Sequence, residues 1–136
     1  ARKQLEIVKK YGFSIKEDGP IEGTYTNYEN LDEKLVGLHD YLKFVKYGFG
    51  RATDHACIDI RNKRIDRKQG VKLVNEFDGK YPHKSIADFV EYSGLSISEI
   101  DEIIDSFTNP SLFKIDEQGN FLRDSSKNLI KNFEIK

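Results

Sequence analysis

The chain has 136 residues and a formal net charge of -1, from 22 basic and 23 acidic side chains. This length suits one domain with a real core, and the charge balance argues against broad attraction to nucleic acid. The single cysteine excludes an intrachain disulfide and a multi-cysteine zinc site. No apolar run reaches the roughly 20 residues of a membrane-spanning helix. We therefore expect a cytoplasmic protein with no membrane span, no metal site and no nucleic-acid partner.

The first 30 residues predict a helix followed by a loop. Leu5, Val8 and Tyr11 fall on one helical stripe, and the glycines and proline that follow are typical of a loop. The sequence therefore divides into an N-terminal helix and loop, 1–30, and a helical C-terminal domain, 31–136.

Leucines repeat at helical spacing at the start of the second region. They predict a helix that ends near Gly48, with a buried face formed by Leu31, Leu35, Leu38, Leu42 and Val45. The next helix is expected to begin at Thr53 or Asp54, because either side chain can cap it, and to bury Ala52, Ala56 and Ile60.

Three further helices are predicted from caps and breaks. Capping boxes at Asp66–Gln69 and Ser96–Glu99 open two of them, and the segment from Ser85 to Gly94 forms the helix between. Two short apolar segments around residues 118–120 predict either a β-hairpin or a loop. The expected fold is mainly α, a small helical array of four or more short helices with a possible C-terminal β-hairpin.

The stretch KYGFGRATDHACIDIR, residues 46–61, carries the candidate site. After its two glycines come Arg51, Thr53, Asp54 and His55, whose charged and polar groups suit a phosphorylated or polyhydroxylated substrate or a proton transfer. A structural interpretation competes. In that interpretation Asp54 caps a helix, His55 pairs with Asp59, and Arg51 satisfies carbonyls at the end of the preceding helix.

This stretch, together with RKQGVKLVNEFDGKYP further on, lies in a run that resembles the C-terminal part of the bacterial N-acetyl sugar amidotransferases. That family belongs to the PP-loop ATPase superfamily and acts in lipopolysaccharide O-antigen and flagellin-glycan biosynthesis. The similarity extends from about Gly19 to Pro110.

The resemblance implies an activity for the parent enzyme. ATP, with Mg, activates the acetamido oxygen of a UDP-linked N-acetyl sugar, and ammonia then displaces AMP to leave an acetamidino group. A separate glutaminase and synthase are expected to supply the ammonia. By the same resemblance, Arg51, Thr53, Asp54, His55 and Tyr25 are expected to face the sugar nucleotide, whereas no catalytic residue is assigned.

The family's Ser-Gly-Gly-x-Asp-Ser pyrophosphate loop is missing from this sequence. We therefore expect the chain to continue from a PP-loop domain, to bind no cofactor itself and to be inactive alone. Two other classes of function remain open. One is a helical protein-interaction module that uses Tyr25, Tyr28 and Tyr47, and the other is a nucleic-acid-binding helical domain that uses the basic residues between 43 and 68.

Overall fold

The computed structural model of the protein describes residues 2–135 and confirms a mainly α-helical array. It contains six helices: α1 (Arg2–Lys9), α2 (Val36–Tyr47), α3 (Arg51–Arg61), α4 (Arg67–Phe77), α5 (His83–Ser93) and α6 (Ile97–Phe107). The division of the chain at residue 30 stays a prediction.

The helices pack in two groups. Helix α3 lies against α4, while α2 packs against both α5 and α6, which also contact each other. The main core lies in the second group and includes Phe44, Ile86, Ile104 and Phe113, all of which are almost fully buried. These side chains come from α2, α5, α6 and the C-terminal segment, so burial of their apolar surface joins four parts of the chain.

Helix α2 is shorter than its leucine pattern predicts. Residues 31–35 form turns, and Leu31 is 41% exposed. The Leu35 N–H donates to Glu33 Oε1 at 2.7 Å, so a side chain takes up a backbone donor before the helix begins. The buried face also differs from the prediction, because Tyr41 and Phe44 enter the core while Leu42 is only half-buried.

The loop before α2 is organised and attached to α3. Its backbone closes on itself through hydrogen bonds from Lys16 N–H to the Asn27 carbonyl and from Ile21 N–H to the Thr26 carbonyl. The Ala52 N–H of α3 donates to the carbonyl of Gly23 in this loop at 3.1 Å. A segment with little apolar content is therefore fixed by backbone hydrogen bonds.

Gly79 lies two residues after the end of α4, at a position that requires glycine. Its φ is +77°, and a Cβ built there would lie 2.3 Å from Phe44 Cζ. Any side chain would meet both backbone strain and the central core ring. The predicted breaks at Gly48 and Gly94 are also confirmed, since both residues cap helix C-termini in the left-handed conformation.

The C-terminal β-hairpin is not confirmed. Within residues 2–135, the segment after α6 has three isolated antiparallel bridges, Phe113–Lys131, Ile115–Phe121 and Arg123–Leu129. Both Phe113 and Leu129 nevertheless belong to the core. The segment therefore covers one side of the helices as an irregular layer.

Candidate functional site

The glycine turn is shaped by a carboxylate from a distant part of the sequence. Asp78, the residue after α4, is 3% exposed and points at the start of α3. It accepts hydrogen bonds from the backbone N–H groups of Gly50 (3.0 Å), Ala52 (2.9 Å) and Thr53 (3.3 Å) and from the Thr53 hydroxyl (2.5 Å). A Cβ on Gly50 would lie only 2.8 Å from Asp78 Oδ1. The glycine therefore makes room for the carboxylate that caps the next helix.

This cap corrects the predicted start of α3. The helix begins at Arg51, with Gly50 at the N-cap position and no capping side chain from Thr53 or Asp54. Asp78 provides the anionic cap, which also interacts favourably with the helix dipole. Sequence reasoning missed this role because Asp78 follows one helix and caps another 26 to 28 residues away.

Arg51 forms a mostly buried ion pair with α2. Its Nε lies 2.6 Å from Asp40 Oδ2, and the two side chains are 16% and 9% exposed. That oxygen accepts no aligned hydrogen bond, so the contact is an ion pair. Burial raises the pKa of Asp40, while the Arg51 charge acts in the opposite direction. With the Asn30 amide oxygen turned towards Arg51, both terminal guanidinium nitrogens donate to it at 2.8 Å.

His55 connects α3 to the loop before α2. Its Nδ1 lies 2.6 Å from Thr24 Oγ1, and its Nε2 lies 2.7 Å from Glu29 Oε2. In the neutral imidazole this geometry fits a proton on Nε2, donated to the carboxylate, with the Thr24 hydroxyl donating to Nδ1. The alternative pairing of His55 with Asp59 is therefore wrong.

Tyr25 extends the same contact between loop and helix. Its ring packs edge-on against His55, and its hydroxyl donates to Asp59 Oδ2 at 3.0 Å. Asp59 also accepts from Arg64 at 2.8 Å. Asp54 differs, because its side chain is 49% exposed and forms an ion pair with Lys43 at the surface.

The structure therefore brings the five predicted substrate-binding residues together around the first half of α3. Each has a protein partner, and Asp54 is the one whose ionic contact is most open to solvent. These partners give the residues a structural role in holding the loop, α2 and α3 together. Their contact with substrate stays a prediction.

A cleft that sequence reasoning did not identify lies next to this network. It has a volume of about 390 Å³ and is lined by the loop, the start of α2 and the start of α5. Three lysines contribute to its walls, Lys16, Lys34 and Lys84, together with the carboxylates Glu22, Glu33 and Asp88. Asn30 also lines it, which links the cleft to Arg51.

Two of these carboxylates are occupied by backbone donors. Glu22 caps α5 by accepting from the N–H groups of Lys84 (2.8 Å) and Ser85 (3.0 Å) and from the Ser85 hydroxyl (2.7 Å). Glu33 accepts from Leu35 N–H. Glu22 and Glu33 are therefore engaged in hydrogen bonds near the starts of helices, and Lys16 forms an ion pair with Asp18 at 3.0 Å.

The described part of the chain offers no set of metal ligands. Across residues 2–135, no group of three or more His, Cys, Asp or Glu side chains could hold a metal ion. In the same range, none of the helices has the length and apolar character needed to cross a membrane.

A comparison with models of protein families shows which family the chain belongs to. Residues 22–127 match the model of the C-terminal domain of WbpG-like lipopolysaccharide biosynthesis proteins. The chain belongs to this family. No individually curated protein matches it. The WbpG-like domain contains α2 to α6, the glycine turn and most of the cleft, and its family membership supports a role in lipopolysaccharide biosynthesis.

Proposed function

We propose that the chain is the C-terminal domain of an ATP-dependent N-acetyl sugar amidotransferase that acts in the cytoplasm during lipopolysaccharide biosynthesis. The observation that carries this proposal is the family match over residues 22–127. The resemblance of the run around KYGFGRATDHACIDIR to sugar amidotransferases supports the finer activity.

The lysine-lined cleft is the proposed position of the UDP-linked N-acetyl sugar. Its volume of about 390 Å³ suits the sugar and diphosphate portion of such a ligand. Lys34 and Lys84 supply positive charge for phosphate oxygens, and Val36 and Gly37 bring the N-terminal end of α2 to the wall. Asn30 provides an amide for hydrogen bonds to sugar hydroxyls.

The proposed reaction converts the sugar's acetamide, ammonia and ATP into an acetamidine, AMP and pyrophosphate. Residues 2–135 do not fit ATP and Mg, because they contain neither a glycine-rich phosphate loop nor a cluster of metal-binding carboxylates. We therefore assign the adenylation step to another part of the parent enzyme. The contribution of this chain is to bind and orient the sugar nucleotide, while a PP-loop domain of the parent enzyme activates the amide. A glutaminase and a synthase, as separate proteins, supply the ammonia.

A titration of the chain with UDP-N-acetylglucosamine tests this assignment. Loss of one charge-assisted contact in Lys84→Ala is expected to weaken binding by about tenfold. Lys72→Ala is the matched control, because Lys72 is an exposed lysine on α4 that does not line the cleft. Separate titrations with UDP and with free N-acetylglucosamine identify the recognised portion. Failure of the chain to bind the nucleotide sugar, or equal weakening by both substitutions, would contradict the role of the cleft.

A protein-interaction role is the second candidate function. It is favoured by an apolar groove between α2, α5 and α6, described below. The nucleic-acid alternative gains no comparable support, since Lys43 and Arg64 of the basic region are paired with Asp54 and Asp59.

A further inference from the structure

An open apolar groove runs between α2, α5 and α6. It has a volume of about 280 Å³, and carbon atoms form almost all of its walls. The side chains that line it include Leu35, Leu38, Leu42, Phe89, Ile100 and Ile103. Apolar surface of this kind remains in contact with water unless another segment covers it.

Two of the helices that form the groove, α5 and α6, also carry exposed apolar side chains. Ile103 is 43% exposed, Phe107 is 49% exposed and Tyr92 is 82% exposed. Leu35 borders both this groove and a neighbouring surface cleft, whose other walls are Tyr92 and the charged residues Lys34, Asp88 and Glu91. An apolar groove between helices, lined by aliphatic and aromatic side chains, is the shape that receives an amphipathic helix.

The helices that form one wall are strongly acidic. Helices α5 and α6 together carry six acidic residues and one lysine. Asp101 and Asp105 point to the C-terminal segment, where they pair with Lys127 and Arg123. Glu91 and Glu102 are exposed on the same two helices. The groove therefore favours an occupant with a basic polar face.

Helix α1 has the complementary character. Ile7, Val8 and Tyr11 are exposed, and they fall on one side of the helix and its C-terminal turn. Lys3, one turn before Ile7, and Lys10, which follows the helix, flank this apolar side, whereas Lys9 lies on the opposite side. A cleft of about 330 Å³ separates α1 from the loop at residues 25–28, so its own chain does not cover it closely.

We propose that α1 of one copy of this chain docks into the apolar groove of a second copy. This contact buries the apolar walls of the groove and the apolar side of α1 together. It also places the lysines of α1 near the acidic side chains of α5 and α6. An eight-residue helix is only about 12 Å long, so a single contact is smaller than the roughly 800 Å² per partner of a standard interface. We therefore expect weak self-association that depends on protein concentration and decreases with added salt.

Sedimentation velocity of the full chain over a series of concentrations is the first test. The unaltered chain is expected to self-associate, and Ile103→Asp is expected to keep it monomeric because it places a charge in the groove. Ile115→Asp is the matched control, since Ile115 is 49% exposed and lies outside the groove. Circular dichroism confirms that both variants remain folded.

Charge reversal tests the identity of the occupant without assuming which side chains meet. A chain with Lys3→Glu and Lys10→Glu, and another with Glu91→Lys and Glu102→Lys, should each lose self-association. Mixing the two should restore association between them. A monomeric parent chain, association that ignores these changes, or binding of α1 to anionic phospholipid vesicles in place of self-association would overturn the proposal.

Discussion

Replacement of Asp78 by alanine should destabilise the protein far more than loss of an ordinary helix cap. The carboxylate accepts three backbone hydrogen bonds at the start of α3, from Gly50, Ala52 and Thr53. Ala52 N–H keeps an acceptor without it, because the Gly23 carbonyl lies at 3.1 Å. The other two amides would lose their acceptor where Asp78 is now buried.

The expected cost follows from those two amides. A hydrogen bond to a charged group contributes about 1.5–3 kcal/mol, so two such bonds give a loss of about 3–6 kcal/mol for Asp78→Ala. That is a large part of the roughly 5–15 kcal/mol that stabilises a typical domain. Asp78→Asn keeps one acceptor oxygen and should lose about 1–2 kcal/mol, because the remaining hydrogen bonds are no longer charge-assisted.

Asp66→Ala is the matched control for this prediction. Asp66 also caps a helix, but it is exposed and accepts from Gln69 N–H three residues later. Water can replace it, so the expected cost is about 1 kcal/mol. Urea unfolding followed by circular dichroism measures all three free energies of unfolding. Equal losses for Asp78→Ala and Asp66→Ala would refute the argument that burial of a remote cap stabilises the turn.

Three further predictions concern the core, the ion pair and pH. Gly79→Ala should lower the stability by several kcal/mol, because the added Cβ would overlap the Phe44 ring and alanine would be strained at this positive φ. An unchanged melting temperature in thermal unfolding would contradict this prediction. Arg51→Ala should lower the free energy of unfolding by about 3–5 kcal/mol, because it leaves the buried Asp40 carboxylate unpaired. Adding Asp40→Asn should recover part of that loss. If a double-mutant cycle gives additive losses, the two side chains are not energetically coupled. Burial raises the pKa of Tyr41 to about 12, so its contribution to stability is present below about pH 10 and lost as the pH rises towards 12. Burial also raises the pKa of Tyr81, so Tyr41→Phe should remove only the Tyr41 part, about 2–3 kcal/mol, of the decrease that urea unfolding shows over this range.

Local sequence signals were enough to predict several helix ends. The capping boxes at Asp66–Gln69 and Ser96–Glu99 are both present in the structure, because each joins residues only three positions apart. Gly48 and Gly94 end their helices as predicted, because a left-handed C-cap needs only the conformational freedom of that one residue.

Tertiary structure decided what depends on distant partners. Helix α3 begins before its predicted capping residues because Asp78 approaches it from the end of α4, and α5 begins two residues before Ser85, where Glu22 accepts its N-terminal donors. No short-range pattern encodes a cap that acts across 28 or 63 residues.

The candidate site follows the same division. The sequence indicated that Arg51 and His55 lie in a turn rich in charged and polar side chains. Only the folded structure shows that they pair with Asp40 and Glu29, and that a cleft with three lysines in its walls lies beside them. The sequence determines which chemical groups are present. Whether a group binds a ligand or another part of the chain depends on which surfaces the fold brings together.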